Sequence, residues 1–473
     1  MNSIDLFHQN ALAHPSKMAI ASLEHGELSF RDIQTLSAKT QSLMDRLRIK
    51  TGDSVLVALT PSPLLFGVIS GLMGLGIRII FIEPWMGLER IQHVVESEKP
   101  KAFLTSTLGK FWGIRSAAIR KISHWVSPAE ILNVATPRPF SMEDLPPEHH
   151  AFVVFSSGTT GTPKGVVRTH RYMKNIFETF CAVEPETLPN PDLIIFPNVA
   201  LFHLATGRGS VIVPGKWSRR SLGQTLGLCE RYRPQTLSTG PAFIKALLDL
   251  GFLGELTSLE RIVVGGALTD CWLMEALFEK LPGRKFIHIY GGSEAEPVSV
   301  VNAELAVRKS REEGYFQTLC LGKPIPQISY RLRNDILWVS GPNVSGEYVG
   351  DPKENAGIKE RDQDGRLWHC MGDRVEEKDG FLWMRGRQHQ RREDFLLEQT
   401  LYRRLQSSKL FLHRTAQDEL LLIGEDLKGA ALELRKDFPQ IKKIIHRKIV
   451  RDKRHRSRID RKQSLPKALR RNA

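Results

Sequence analysis

Short apolar runs alternate with helix-patterned segments through most of the chain. The runs AFVVFSS, DLIIFPNV, GSVIVPG, LERIVVGGA and KFIHIYGG are rich in β-branched or aromatic residues and are closed by Gly, Pro or Ser, as strands are. Between them lie SLGQTLGLCERY and PAFIKALLDLGF, whose apolar positions recur at helical spacing. This alternation predicts an α/β fold, a large domain of mainly parallel sheets flanked by helices. The stretch from Ser54 to Ile77 carries no charge and is long enough for a membrane span of roughly 20 residues. Pro61 and Pro63 interrupt it, however, and DSVLVAL, PLLFGVISGLMGLG and IRIIFIEP parse as strand, helix and strand of a buried parallel unit. No transmembrane segment is therefore expected, and no fixed-period repeat is present.

The strand-like run FLWMRG, Phe381 to Gly386, ends in a turn, after which the pattern shortens in period and becomes more basic. This change divides the chain into residues 1–386 and a small α+β C-terminal domain, 387–473, with a hinge near 387–389.

At 473 residues the chain exceeds what one core supports. Hydrophobic residues at 41% and charged residues at 25% exclude the composition of a disordered chain. Five scattered cysteines with no CxxC pair indicate neither a disulfide framework nor a zinc site. The N-terminus lacks a basic start followed by an apolar run, which makes the cytoplasm the expected location. The net charge of +15 is concentrated between Lys442 and Arg471. Such a cluster attracts anionic partners: nucleic acid, an acidic lipid surface, an acidic carrier protein or a phosphorylated cofactor. It is equally the composition of a solvated helix and tail. Nucleic acid is the least favoured partner, because no helix-turn-helix, RRM or finger signature and no interleaved aromatics accompany the charge.

The sharpest local signal is FSSGTTGTPKGVVRTH, Phe155 to His170, directly after a predicted strand. The hydroxyls of Ser156, Ser157, Thr159 and Thr160 offer donors to phosphate oxygens, Gly158 and Gly161 allow close backbone approach, and Lys164 adds a charge. The spacing is not GxxxxGK[ST], so a P-loop is disfavoured. Ser156 to Gly165 instead matches SSGTTGxPKG, and the sequence resembles the adenylate-forming superfamily of acyl-CoA synthetases, peptide-synthetase adenylation domains and luciferases.

Further segments extend this resemblance in order along nearly the whole chain. VVGGALTD is similar to the family's GGA segment, which implies that Gly265, Gly266 and Ala267 line an adenine pocket. YGGSEAEP resembles the YGxTE motif: Tyr290 would stack on adenine beside Gly291, Ser293 stands where Thr is usual, and Glu294 would be a Mg²⁺ ligand, a hard oxygen for a hard cation. WHCMGDR resembles the TGD segment, which makes Asp373 the expected ribose acceptor. Arg387, in DGFLWMRGRQHQ, carries over as a second nucleotide contact. LFHLATG resembles a segment bordering the acyl site, with His203 as its candidate. Two departures stand out. His389 occupies a hinge position where the family commonly has Asp or Lys. The terminal GKIxR-like motif is matched by RHRSRIDR with Arg458 in place of the lysine, and Lys448 in HRKIVR is the rival. Arginine is bulkier and planar and does not replace an ammonium freely.

The resemblance implies an AMP-forming acid ligase with ATP and Mg²⁺, activating a carboxylic acid of the fatty or 3-hydroxy fatty type. The activated acyl group would pass to coenzyme A or to an acidic acyl carrier protein, or close on its own hydroxyl as in β-lactone synthetases. FIEPWMG, GGSEAEP, the MGDR form and the RHxxxI ending point towards that last branch. A catalytically impaired nucleotide-binding homologue is the alternative raised by Arg458, and the basic segment adds an anionic membrane periphery as a second location.

Overall fold

The protein's structure, a computed structural model, describes all residues except 83–85, 157–163, 185–187, 315–318, 350–356, 408, 426, 428, 452–458, 467–468 and 470–473; the side chains of residues 89, 90, 156, 164 and 462 are also outside the description.

Two large sheets form the body. The seven-stranded sheet has Ser54–Ala58 near its middle, with Arg78–Phe81 and Ala102–Thr105 parallel on either side. The uncharged apolar run from Ser54 is thus strand, helix Pro63–Gly74 and strand, as its prolines predict. Ser62 caps that helix through Leu65 N–H and Pro63 opens it, where a missing N–H costs nothing. The parallel array continues through His150–Ser156, which then pairs antiparallel with Lys164–Thr169. Tyr348–Val349 closes this edge.

In the nine-stranded sheet, Asp192–Ile194, Thr236–Thr239, Arg261–Val264 and Lys285–Gly292 run parallel and adjacent, and Ala295–Asn302 turns back along the last of them. Asp192–Ile194, Thr236–Thr239 and Arg261–Val264 are short and buried throughout, which fits their runs of apolar and β-branched residues. No helix among the described residues is long and apolar enough to cross a membrane.

A third sheet contains Leu367–Lys378 paired with Phe381–Arg387, the latter being the predicted FLWMRG strand. Residues 388–391 lead into helix Arg392–Leu405 and a three-stranded sheet of Leu410–Arg414, Leu420–Gly424 and Ile441–His446 with its own apolar cluster around Leu401, Leu412 and Leu422. All five cysteines are free thiols, four of them buried.

Candidate active site

The site grows from the C-terminal end of Lys285–Gly292. Tyr290 stands there, and its hydroxyl donates to Asp373 Oδ2 at 2.6 Å. Asp373 lies on Leu367–Lys378 directly across the ladder from Arg387, so register alone sets them side by side. Arg387 Nη1 is 2.5 Å from Asp373 Oδ1, an ion pair across a buried carboxylate. Oδ1 nevertheless accepts no hydrogen bond among the described residues. A carboxylate oxygen carries more than one lone pair, so this buried, ion-paired group keeps acceptor capacity that fits a ribose hydroxyl.

Gly265 and Gly266 follow the neighbouring strand Arg261–Val264. A methyl group on Gly265 would stand 3.0 Å from the Ile289 carbonyl, and Gly266, at φ +77°, would place one 3.1 Å from Phe196. Close packing and a left-handed backbone thus require glycine at both positions. They place this turn beside the strand residue that precedes Tyr290.

Glu294 sits one turn beyond Tyr290. Its Oε1 accepts from the Tyr348 hydroxyl at 3.1 Å, and its carbonyl accepts from Ser345 N–H at 2.7 Å. The turn is tied from two sides to the strand that follows the hydroxyl-rich segment. Arg168, on Lys164–Thr169, donates to the Ser293 carbonyl at 3.1 Å and stands over the Tyr172 ring. The Tyr348–Val349 strand pairs with Val166 and Gly165. The backbone at Lys164 is therefore brought next to the Glu294 turn, while Gly292 would contact Met371 and Glu294 together if it bore a Cβ, at 3.5 and 3.6 Å. Ser157, Gly158, Thr159, Thr160 and Gly161 lie outside the described residues, as do the side chains of Ser156 and Lys164. Backbone pairing of Ser156 with Lys164 fixes the two ends of that segment together.

Three residues here carry no motif signal. Lys359 donates to the Ser345 carbonyl, and its ammonium lies 5.1 Å over the Tyr348 ring. Burial pulls its pKa down to about 8 against the attraction of Glu294 and Glu347. Tyr348 and Arg168 are the others; strand register, invisible in a single sequence, places all three. A carboxylate flanked by a tyrosine hydroxyl fits Mg²⁺, which takes one or two carboxylates and completes its shell with phosphate and water. No group of three or more metal-ligating side chains occurs among the described residues.

His203 differs from the expected acyl-site contact. Helix Pro197–Ala205 carries it into a buried cluster, where Nε2 is 3.0 Å from Asp192 Oδ2 and Nδ1 is 2.8 Å from Ser210 Oγ. Arg208 also pairs with Asp192, and Arg208 and Arg261 both approach Glu184. Burial pushes the Asp192 carboxyl up, but His203 and Arg208 outweigh it and hold it below its ordinary value. Both ring nitrogens are engaged inside the protein, which leaves neither for a substrate.

The C-terminal segment approaches the body near the glycine turn. Asp270, three residues beyond Ala267, interacts electrostatically with Arg451 and with Tyr402 of helix Arg392–Leu405. Arg451 is bridged to Ile459, which brackets the expected Arg458. Arg458 itself lies outside the described residues, and Lys448 is exposed after strand Ile441–His446. At the expected hinge residues, Gln388 N–H donates to the Gly372 carbonyl at 2.9 Å, and burial lowers the pKa of His389, with Arg387 adding to the effect.

A glycine turn and Tyr290 at the strand ends of the nine-stranded sheet thus meet Asp373 and Arg387 of the third sheet, in an α/β protein of the architecture that binds ligands beyond its strand ends. The chain belongs to the AMP-binding enzyme family, whose pattern it matches over residues 7–349. It is 25% identical to an olefin beta-lactone synthetase of Stenotrophomonas maltophilia over 404 residues, covering 76% of this chain and 73% of the relative. Indigoidine synthase of Streptomyces lavendulae is 23% identical over 368 residues, covering 76% of this chain and only 28% of the synthase. The chain thus spans a minor part of some of the large synthases it matches, 14% in the case of a plipastatin synthase chain of Bacillus subtilis. In fold it is similar to the o-succinylbenzoate CoA synthetase of Bacillus subtilis solved with its acyl-adenylate, at a TM-score of 0.78, 17% identity and 96% coverage of both chains.

Proposed function

We propose that the protein is an AMP-forming acid ligase that converts a carboxylic acid into an acyl adenylate. A carboxylate oxygen attacks the α-phosphorus of ATP, the bond from that phosphorus to the bridging oxygen breaks, and pyrophosphate leaves with the electron pair. No net proton is transferred. Two anions must meet, so positioning and charge neutralisation supply the rate. Asp373 and Arg387 hold the ribose, Tyr290 and the Gly265–Ala267 turn hold the base, and Ser156 to Lys164 receives the phosphates. Glu294 would hold Mg²⁺, which would supply charge neutralisation to the triphosphate. The observation that carries this reading is the meeting of Tyr290, Asp373 and Arg387, with Glu294 in the turn that follows the Tyr290 strand.

Residues 387–473 act as a lid hinged at 387–389, bringing Arg458, or Lys448 in its stead, to the reacting groups. The acid is of fatty or 3-hydroxy fatty type, and the acceptor is coenzyme A or an acidic carrier protein. Closure to a β-lactone is the second reading. It is favoured by the match along 73% of a β-lactone synthetase, against 28% of indigoidine synthase. Mass spectrometry of products from MgATP with medium and long fatty and 3-hydroxy fatty acids separates these outcomes: lactone, thioester (when coenzyme A is supplied) and acyl-AMP differ in mass. If none of them forms with any acid, the impaired-homologue reading prevails.

A further inference from the structure

Among the described residues seven large apolar side chains are strongly exposed, and three of them fall within one short segment: Leu108 at 82%, Phe111 at 69% and Ile114 at 51%. Helix Thr107–Gly113 carries the first two, and their spacing of three projects them from one face, with Ile114 continuing it. Leu132, also exposed, belongs to the adjoining helix Pro128–Leu132, which is tied to this one by the Lys110–Glu130 ion pair at 3.5 Å.

The charge around this face is predominantly positive, with Glu130, paired to Lys110, as the acidic exception. Between Lys99 and Ala129 the chain contains Lys99, Lys101, Lys110, Arg115, Arg120 and Lys121 and no Asp or Glu. Lys101 is paired with Asp53 and Lys110 with Glu130, while Arg115 and Lys121 are exposed and form no ion pair among the described residues. Arg120 spends one N–H on the Ile114 carbonyl, at 2.7 Å, and so fixes a cation beside the apolar face.

We propose that this face, Leu108, Phe111 and Ile114 ringed by Lys110, Arg115, Arg120 and Lys121, docks the protein on an anionic phospholipid bilayer. Apolar side chains protruding from a cationic rim insert at the headgroup boundary while the cations meet lipid phosphates. A protein partner fits less well, since lysine is depleted from protein interfaces and the side chains project rather than line a pocket.

Topology adds a functional direction. Strand Ala102–Thr105 runs parallel to His150–Ser156 in the same sheet, three strands away, so the helix leaves the same rim as the hydroxyl-rich segment, about 14 Å along it. A bilayer held there lies on the nucleotide side of the sheet. The link to a membrane-partitioned fatty acid rests on the proposed function, whereas the docking itself does not.

The test is co-sedimentation of the full chain with vesicles of phosphatidylcholine alone or mixed with phosphatidylglycerol. The L108S/F111S variant, which leaves every charge in place, is compared with K442Q/K443Q in the separate basic segment; thermal melting verifies that each variant is folded. The proposal expects binding to the anionic vesicles alone, lowered about tenfold or more by L108S/F111S and little changed by K442Q/K443Q. It is overturned by absence of binding, by binding that survives L108S/F111S, or by loss confined to K442Q/K443Q. Failure to bind vesicles together with L108S/F111S-sensitive self-association, or capture of an acidic carrier protein at this face instead, also overturns it. Acid-dependent ATP turnover is read separately, so vesicle binding without turnover contradicts the proposed function and leaves the docking face standing.

Discussion

Tyr290 and Asp373, 83 positions apart, are joined by a hydroxyl-to-carboxylate hydrogen bond of 2.6 Å, and Arg387 closes the group from the opposite strand. Asp373 is thus held in one orientation with an acceptor oxygen to spare. D373A is expected to raise the KM for ATP and lower kcat/KM on the order of a hundredfold, with Y290F an order of magnitude milder. Steady-state kinetics in ATP check this; an unchanged KM in D373A removes the residue from the nucleotide site.

Lys359 is held at the Ser345 carbonyl and the Tyr348 ring, where it interacts with Glu294. A cation near a metal ligand opposes the metal. K359M is therefore expected to lower the Mg²⁺ concentration for half-maximal activity severalfold, an effect on the order of 1 kcal/mol. A Mg²⁺ titration of both proteins reads it, and an unmoved or raised midpoint contradicts the placement.

The His203 cluster predicts stability loss in place of a substrate effect. H203A strips a partner from Asp192 within a buried network and is expected to cost about 3–5 kcal/mol. Denaturant unfolding measures that cost. A variant of native stability with a raised KM for the acid restores the acyl-site role.

These residues show what a single sequence contains and what it does not. The strand, helix and strand from Ser54 were legible because a parallel unit buried on both faces leaves an unbroken apolar run punctuated by proline. Motif order singled out Tyr290, Asp373 and Arg387, three residues that the fold brings together. Lys359 and Arg168 were not legible: register of Lys359 with His369 decides its neighbours, and Arg168, though within Phe155 to His170, lies beyond the matched Ser156 to Gly165 and meets a partner, Ser293, that is distant in sequence. His203 read as a site residue because its partners Asp192 and Ser210 sit at the ends of strands that look merely apolar.

Asp270 gives a pH dependence. Burial pushes its carboxyl up to about 7, with Trp272 and Arg451 opposing. Between its ordinary value near 3.8 and about 7 the folded protein therefore holds more protons than the unfolded chain. This contribution favours folding at low pH and is lost as pH rises through 7. D270N removes this loss and is expected to raise the melting temperature more at pH 8, where the loss is complete, than at pH 5, where it is only partial. An equal change at both pH values contradicts the assignment.

Exchange of labelled pyrophosphate into ATP, measured across a panel of carboxylic acids, tests adenylation itself. The expected result is exchange that depends on the acid and on Mg²⁺ and is lost in K164A and D373A. Nucleotide binding without exchange for any acid would contradict the proposed activity.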